Sequence, residues 1–253
     1  MKFDHKVVLI TGGSRGIGKA TAIAFAKEGA SIALNYRANT KAATTTLEQL
    51  AGRFHNLFQG DIGEASAVKD VVDTVVKHYG QIDILVNNAG IFEQHPIDKV
   101  DYETWQKEWQ RTINVNLLGA ANMMYCVAQQ MMQQEDGGRI INVSSRGAFR
   151  GEPLQAAYGA SKAGMNAMGQ SLAQALAPHK IFVGTVAPGF VETEMAAKNL
   201  KGKGGKAIKN QSPLGRVATP EEVAKGILFF AEEGTEFMTG AILDINGASY
   251  LRS

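Results

Sequence analysis

Seven short apolar runs, most of them rich in β-branched residues, are spaced along the chain at 7–11, 31–35, 56–59, 82–87, 139–144, 181–187 and 241–245. A strand with one face in water alternates apolar and polar side chains, so a run that is apolar nearly throughout must be covered on both faces. Between most of these runs lie stretches long enough for helices, at 16–28, 39–51, 64–79, 103–134, 156–177 and 219–232. The last opens with Thr219-Pro220-Glu221-Glu222, a capping residue, a first-turn proline and two carboxylates suited to the positive end of a helix dipole. Short buried strands alternating with helices read as βαβ units, so the expected fold class is α/β, a doubly wound seven-stranded parallel sheet.

At 253 residues the chain fits one such domain. With 26 basic against 24 acidic side chains it carries no broad electrostatic footprint, and binding to nucleic acid is not expected. Cys126 is the only cysteine and excludes an intrachain disulfide; set in an apolar stretch, it reads as a packing residue. The five histidines are scattered without helical ligand spacing, so no metal site is expected. The first apolar run breaks at Thr11-Gly12-Gly13, too soon for a secretory segment, and no run approaches the ~18 residues of a membrane span. The expectation is a cytoplasmic protein without a membrane partner. From 198 to 209 five lysines are mixed with glycines, and the region around 190–212 reads as a mobile lid over a site.

The first apolar run leads into Thr11-Gly12-Gly13-Ser14-Arg15-Gly16-Ile17-Gly18, with a helix to follow. Glycines there let the backbone approach a pyrophosphate, and the free amides of the helix start attract its charge. The spacing departs from GxGxxG, so position rather than pattern carries the reading. The second strand ends Leu34-Asn35-Tyr36-Arg37, without the carboxylate that would hold the ribose hydroxyls of NAD. Arg37 and Arg15 could instead clamp a 2′-phosphate, which favours NADP(H).

Tyr158 and Lys162 stand four apart near a helix start and share a face. An ammonium beside a phenol stabilises the phenolate, so the expectation is that Lys162 lowers the Tyr158 pKa and makes it a general acid. Asn87-Asn88-Ala89-Gly90, Ser145 and Pro188-Gly189 each follow the end of a strand, where open α/β sheets bind ligands.

With this combination, and with Ser145 thirteen residues before Tyr158, the chain resembles the Rossmann-like short-chain dehydrogenase/reductase family along essentially its whole length. The resemblance implies an NADP(H)-dependent oxidoreductase acting on a small carbonyl or alcohol. It makes Tyr158 the proton donor, Ser145 the holder of the carbonyl oxygen and Lys162 the partner of the nicotinamide ribose. Asn116 would support a proton-relay water; Asn114 is the competing choice, but Asn116 matches better before Leu117-Leu118-Gly119. The cofactor would meet Gly12, Ser14, Arg15, Gly16, Ile17 and Gly18 at its pyrophosphate and Arg37 at its 2′-phosphate. Asp61 and Ile62 would lie at adenine and Asn88, Ala89 and Gly90 at the adjoining ribose. Pro188 and Gly189 would also contact the cofactor, with Val191 and Thr193 at its nicotinamide and phosphate portions.

The resemblance fixes chemistry better than substrate. A 3-oxoacyl thioester on a carrier protein is the commonest assignment for so compact a chain. Against it, Gln133-Gln134-Glu135-Asp136 and Pro178-His179-Lys180 stand where basic docking residues are expected, although the lysine-rich lid could compensate. Arg146 and Arg150 follow Ser145, and Arg150 matches a position that can face an anionic substrate; pairing with Glu152 is the plainer reading. A homotetramer is implied, formed through 103–134 and 156–177 with Ala160, Ala163, Gly164, Ala167 and Gly169 allowing close approach. Asn246-Gly247-Ala248-Ser249 departs from the usual Asp-Gly-Gly ending. Trp105 and Trp109 read as packing residues. The rival class is a catalytically silent NADP(H)-binding regulator or scaffold; the intact Ser145, Tyr158 and Lys162 set argues against it.

Overall fold

The computed structural model describes residues 1–202 and 204–252, apart from the side chains of Lys198 and Asn199. Seven strands form one sheet: β1 (Val7–Ile10), β2 (Ser31–Tyr36), β3 (Asn56–Gln59), β4 (Ile84–Asn87), β5 (Gly138–Val143), β6 (Ile181–Pro188) and β7 (Ile242–Ile245). Their order is β3-β2-β1-β4-β5-β6-β7, and every pairing is parallel. The order in which strands are added reverses at β1, with Val8 opposite Ile32 on one side and Ile84 on the other. That reversal opens a crevice at the carboxyl ends of β1 and β4, the place where such sheets bind ligands.

Alternate residues of each strand feed two separate cores. Val8, Ile10, Ile32, Leu34, Ile84 and Val86 pack with Phe25 of α1 (Gly16–Lys27) and Val223, Ile227 and Phe230 of α10 (Pro220–Ala231). Leu9, Ala33, Leu85 and Ile140 face the other way, onto α3 (Ala65–Tyr79), α5 (Ala120–Met131) and α7 (Ala156–Leu176). A central strand with a core on each side has no use for polar side chains, which explains the unbroken runs. Each large side chain removed from water contributes about 1.5–3 kcal/mol. The start of α10 is a full capping box between Thr219 and Glu222, worth about 1 kcal/mol.

The expected helix at 103–134 is divided. After α4 (Tyr102–Ile113) the backbone runs as a π-helical turn, Asn114–Gly119, before α5 resumes. A π turn adds a residue to the helix circuit and rotates the side chains beyond it. Here it turns Asn116 inward, where it is fully buried, and brings Gly119 so close to the carbonyl of Ile62 that a Cβ would stand 2.4 Å from it. The helix expected over 39–51 is the shorter α2 (Thr40–Leu47), capped by the Asn39 side chain. A four-residue helix, α6 (Gly147–Arg150), follows β5. The expected lid contains two short helices, α8 (Glu194–Lys201) and α9 (Gly205–Lys209); Lys203 lies outside the described residues. No described helix is long and apolar enough to cross a membrane.

Candidate active site

The turn after β1 owes its shape to Gly12, whose φ is +63° and whose added Cβ would stand 2.9 Å from the Cα of Ala89. The segment after β4 is tied to it by buried Thr11, whose hydroxyl accepts from the amides of Asn88 and Ala89, both at 3.0 Å. In return, the Asn88 amide group donates to the carbonyls of Thr11 and Gly12, at 2.9 and 3.1 Å. The first turn of α1 follows with no side-chain cap, so its amides are available to an anion. Gly18 does not line the cavity; a Cβ there would lie 2.4 Å from the Gly12 carbonyl, so its role is to let α1 approach the turn.

From this turn a cavity of about 370 Å³ runs in both directions along the crevice. Toward β2 and β3 it is lined by Ser14, Arg15, Gly16, Ile17, Arg37, Asp61 and Ile62; toward β4 to β6 by Asn88, Ala89, Gly90, Ser145, Tyr158, Lys162, Pro188, Gly189, Val191 and Thr193. The two arginines expected to form a clamp each face a carboxylate: Arg37 stands 3.9 Å from Asp61, and Arg15 lies 3.2 Å from Glu194 at the start of α8. Asn35 is buried and donates to the carbonyls of Phe58 and Gly60, a brace between β2 and β3. The uncapped helix start, the glycine cradle and the flanking arginines together suit a dinucleotide diphosphate.

At the chemical end, the first turns of α7 bring Tyr158 and Lys162 to the cavity. The Lys162 ammonium is buried, donates to the carbonyl of Val143 at 2.7 Å, and stands 5.9 Å from the centre of the Tyr158 ring. Burial pulls the Lys162 pKa down to about 8. Burial pushes the Tyr158 phenol up to about 12, with the Ser145 hydroxyl opposing the shift and the Glu152 carboxylate adding to it. The net direction is opposite to the expectation that Lys162 makes the phenol more acidic, because desolvation of the phenolate outweighs the attraction of an ammonium that is directed at a backbone carbonyl. The phenol is thus firmly protonated at neutral pH, the state a proton donor requires. Phe92 packs edge-on against its ring at 4.7 Å, and Ser145 accepts from the Gly147 amide at 3.0 Å.

Asn116 lies behind this wall. Its side-chain amide accepts from Ile91 N at 2.8 Å and donates to Ile91 O at 3.0 Å and Ser161 Oγ at 3.2 Å, while Ser161 donates to the carbonyl of Tyr158. It therefore couples the strand-β4 segment to α7. His95, which the sequence gave no reason to single out for chemistry, is a second coupling. It is buried, and its Nε2 accepts from the Ala157 amide at 3.1 Å while Nδ1 faces the Glu93 carbonyl. Trp105 and Trp109 pack edge-on around it.

Of the two arginines that follow Ser145, Arg146 lines the cavity and Arg150 does not. Arg146 is buried and donates to Ser249 and Gln211, whereas Arg150 is exposed and reaches only Gln211, at 3.4 Å. Glu152, Phe92 and Phe190, also on the cavity, carried no motif by which to be found. Of the small residues expected to open a subunit contact, Ala160, Ala163 and Ala167 are exposed on α7, while Gly164 and Gly169 face Leu117 and Asn142 inside the molecule.

Comparison with known proteins agrees along the whole chain. A family profile described as enoyl-(acyl carrier protein) reductase matches residues 12–248. The chain is 40% identical to the 3-oxoacyl-acyl-carrier-protein reductase of Thermotoga maritima, covering 98% of each, and 36% identical to the L-rhamnose 1-dehydrogenase (NAD(P)(+)) of a Sphingomonas species, covering 98% of this chain and 97% of that one. Among solved structures, a short-chain dehydrogenase from Burkholderia cenocepacia in complex with NADP is similar with a TM-score of 0.89 and 31% identity, over 98% of this chain and 99% of that one. A short-chain dehydrogenase/reductase from Brucella melitensis is similar with a TM-score of 0.91 and 29% identity, over 99% of both. The chain belongs to the short-chain dehydrogenase/reductase family of nicotinamide-dependent oxidoreductases.

Proposed function

We propose that this protein uses NADPH to reduce a carbonyl group to an alcohol, with Tyr158 as proton donor. The observation that carries the reading is the meeting, in one cavity, of a protonated, half-buried phenol, a serine hydroxyl and a buried lysine with a glycine turn shaped for a diphosphate. A bound nicotinamide supplies the hydride. The Ser145 and Tyr158 hydroxyls stabilise the negative charge that develops on the carbonyl oxygen, in a site where burial strengthens both interactions. Tyr158 gives up its proton to that oxygen, and the nearby Lys162 charge offsets the phenolate left behind. Lys162 also serves the nicotinamide ribose, and Asn116 holds the wall behind both residues and supports the water through which the phenol is reprotonated. Arg37 and Arg15, released from Asp61 and Glu194, receive the 2′-phosphate. The segment 190–212, through Thr193, Glu194, Met195 and Ala196 on the cavity, acts as the lid. The working assembly is a homotetramer built on α4, α5 and α7.

The name of the Thermotoga relative brings 3-oxoacyl thioesters into consideration. The experiment is the loss of NADPH absorbance against ketones, aldehydes and 3-oxoacyl thioesters, and its gain when aldoses are oxidised with NADP. The expected result is turnover of at least one class, faster with NADPH than NADH, and a loss of that preference by about tenfold or more in Arg37→Ala as a charge-assisted phosphate contact disappears. Tight NADPH binding with no turnover of any class would replace this reading with that of a silent binding protein.

A further inference from the structure

The chemical end of the cavity contains a carboxylate for which proton transfer has no use. Glu152 lies seven residues beyond Ser145, past the turn at Gly151. Its side chain folds back over Gly147, where an added Cβ would stand 2.8 Å from Oε1 and 2.9 Å from Cγ. Gly147 is the residue whose amide donates to the Ser145 hydroxyl, so a single glycine separates the carboxylate from the group that receives the carbonyl oxygen. The same carboxylate is near enough to Tyr158 to disfavour its phenolate.

Glu152 is half-buried, and among the described residues no side chain or amide donates a hydrogen bond to its carboxylate. Arg146 and Arg150 act on it only through space, and burial outweighs them, raising its pKa. The Arg146 guanidinium is already committed to Ser249 and Gln211, both at 2.5 Å, and lies over the ring of Phe190 at 5.2 Å. A partly desolvated carboxylate on a cavity wall needs donors, and a ligand in that cavity is placed to provide them. An unsubstituted acyl chain brings none, and a carboxylate or phosphate substituent would bring like charge. A hydroxyl beside the reacting carbonyl donates to Glu152, while the aromatic faces of Phe92 and Phe190 cover the carbon skeleton.

We propose that Glu152 is a specificity-determining residue that selects carbonyl substrates bearing a neighbouring hydroxyl, a hydroxyketone or small sugar, by accepting that hydroxyl's hydrogen bond. This rests on the reading of Tyr158 and Ser145 as the carbonyl-reducing pair. Sites built to hydrogen-bond a hydroxyl reject the analogue lacking it by large factors, because the buried polar group is then left unpaired.

The test compares near-isosteric pairs, hydroxyacetone with butanone and hydroxycyclohexanone with methylcyclohexanone, by kcat/KM with NADPH in the wild type, Glu152→Ala and Glu152→Gln. Intrinsic reactivity differs within a pair but cancels when the hydroxyl-to-methyl ratio of a variant is divided by that of the wild type. The expected result is a ratio about tenfold or more lower in Glu152→Ala. A smaller fall in the same direction is expected in Glu152→Gln, which keeps size and an acceptor but loses the charge. NADPH binding and the melting temperature, measured alongside, report folding, and Glu152→Gln serves if the alanine variant does not fold. Equal ratios in wild type and variants overturn the selection by Glu152 and leave carbonyl reduction standing. Absence of turnover with every ketone, in a wild type that binds NADPH, overturns both.

Discussion

Burial acts on Tyr158 and Lys162 in opposite directions, and the difference has a pH signature. Lys162, pulled down to about 8, loses its proton as the pH rises through that value, whereas Tyr158, pushed up to about 12, keeps its own. The lysine charge proposed to offset the forming phenolate therefore disappears first. Carbonyl reduction is predicted to fall above about pH 8, and Lys162→Arg, if it turns over, to extend activity upward because guanidinium stays charged. A profile flat to about pH 10 contradicts the assignment. For stability the signs follow from proton counting. Between the folded Lys162 value of about 8 and its ordinary 10.5, the unfolded chain holds the extra proton, so this lysine's contribution rises with pH. Between 10 and about 12 the folded Tyr158 holds the extra proton, and its contribution falls. The meeting of Tyr158, Lys162 and Ser145 on one cavity was legible because all three lie within one stretch of chain. Glu152 and His95 were not, because nothing local ties residue 95 to the amide of residue 157; only the packed loops bring them together.

Helices and strands whose ends are set by local chemistry were read closely from the sequence, as the capping box of α10 illustrates. The π turn was not. Its position follows from the approach of Gly119 to Ile62 and the two-way bond of Asn116 to Ile91, both contacts between distant segments. The turn after β7 had a visible anomaly, and the structure gives its consequence. Ala248 sits at φ +55°, directly after Gly247 at +58°. A left-handed alanine costs about 1–2 kcal/mol, more than the ~0.5–1 kcal/mol of chain entropy that glycine adds to the unfolded state. Ala248→Gly is therefore predicted to raise the melting temperature by about 1–3 °C. A lower melting temperature would show that the alanine methyl makes a compensating contact.

At the scale of the whole molecule, the reversal of strand order at β1 delivers the glycine turn, the Asn88 segment, Ser145 and the Pro188-Gly189 segment to one edge of the sheet. The alternation of buried strands and helices made that architecture legible, because two covered faces leave few other arrangements. The electrostatics of the cavity were less legible: the partners of Arg15 and Arg37 come from distant segments, and desolvation is a property of the closed fold. The central claim is that a half-buried, protonated phenol quenches the alkoxide as hydride arrives. Tyr158→Phe removes that proton and little else, since the ring and its contact with Phe92 remain. Measured together, kcat for carbonyl reduction and the Kd for NADPH decide the matter: kcat is predicted to fall by about 10²–10⁴-fold with the Kd changed by less than about threefold. A variant that keeps turnover near the wild-type rate contradicts the account.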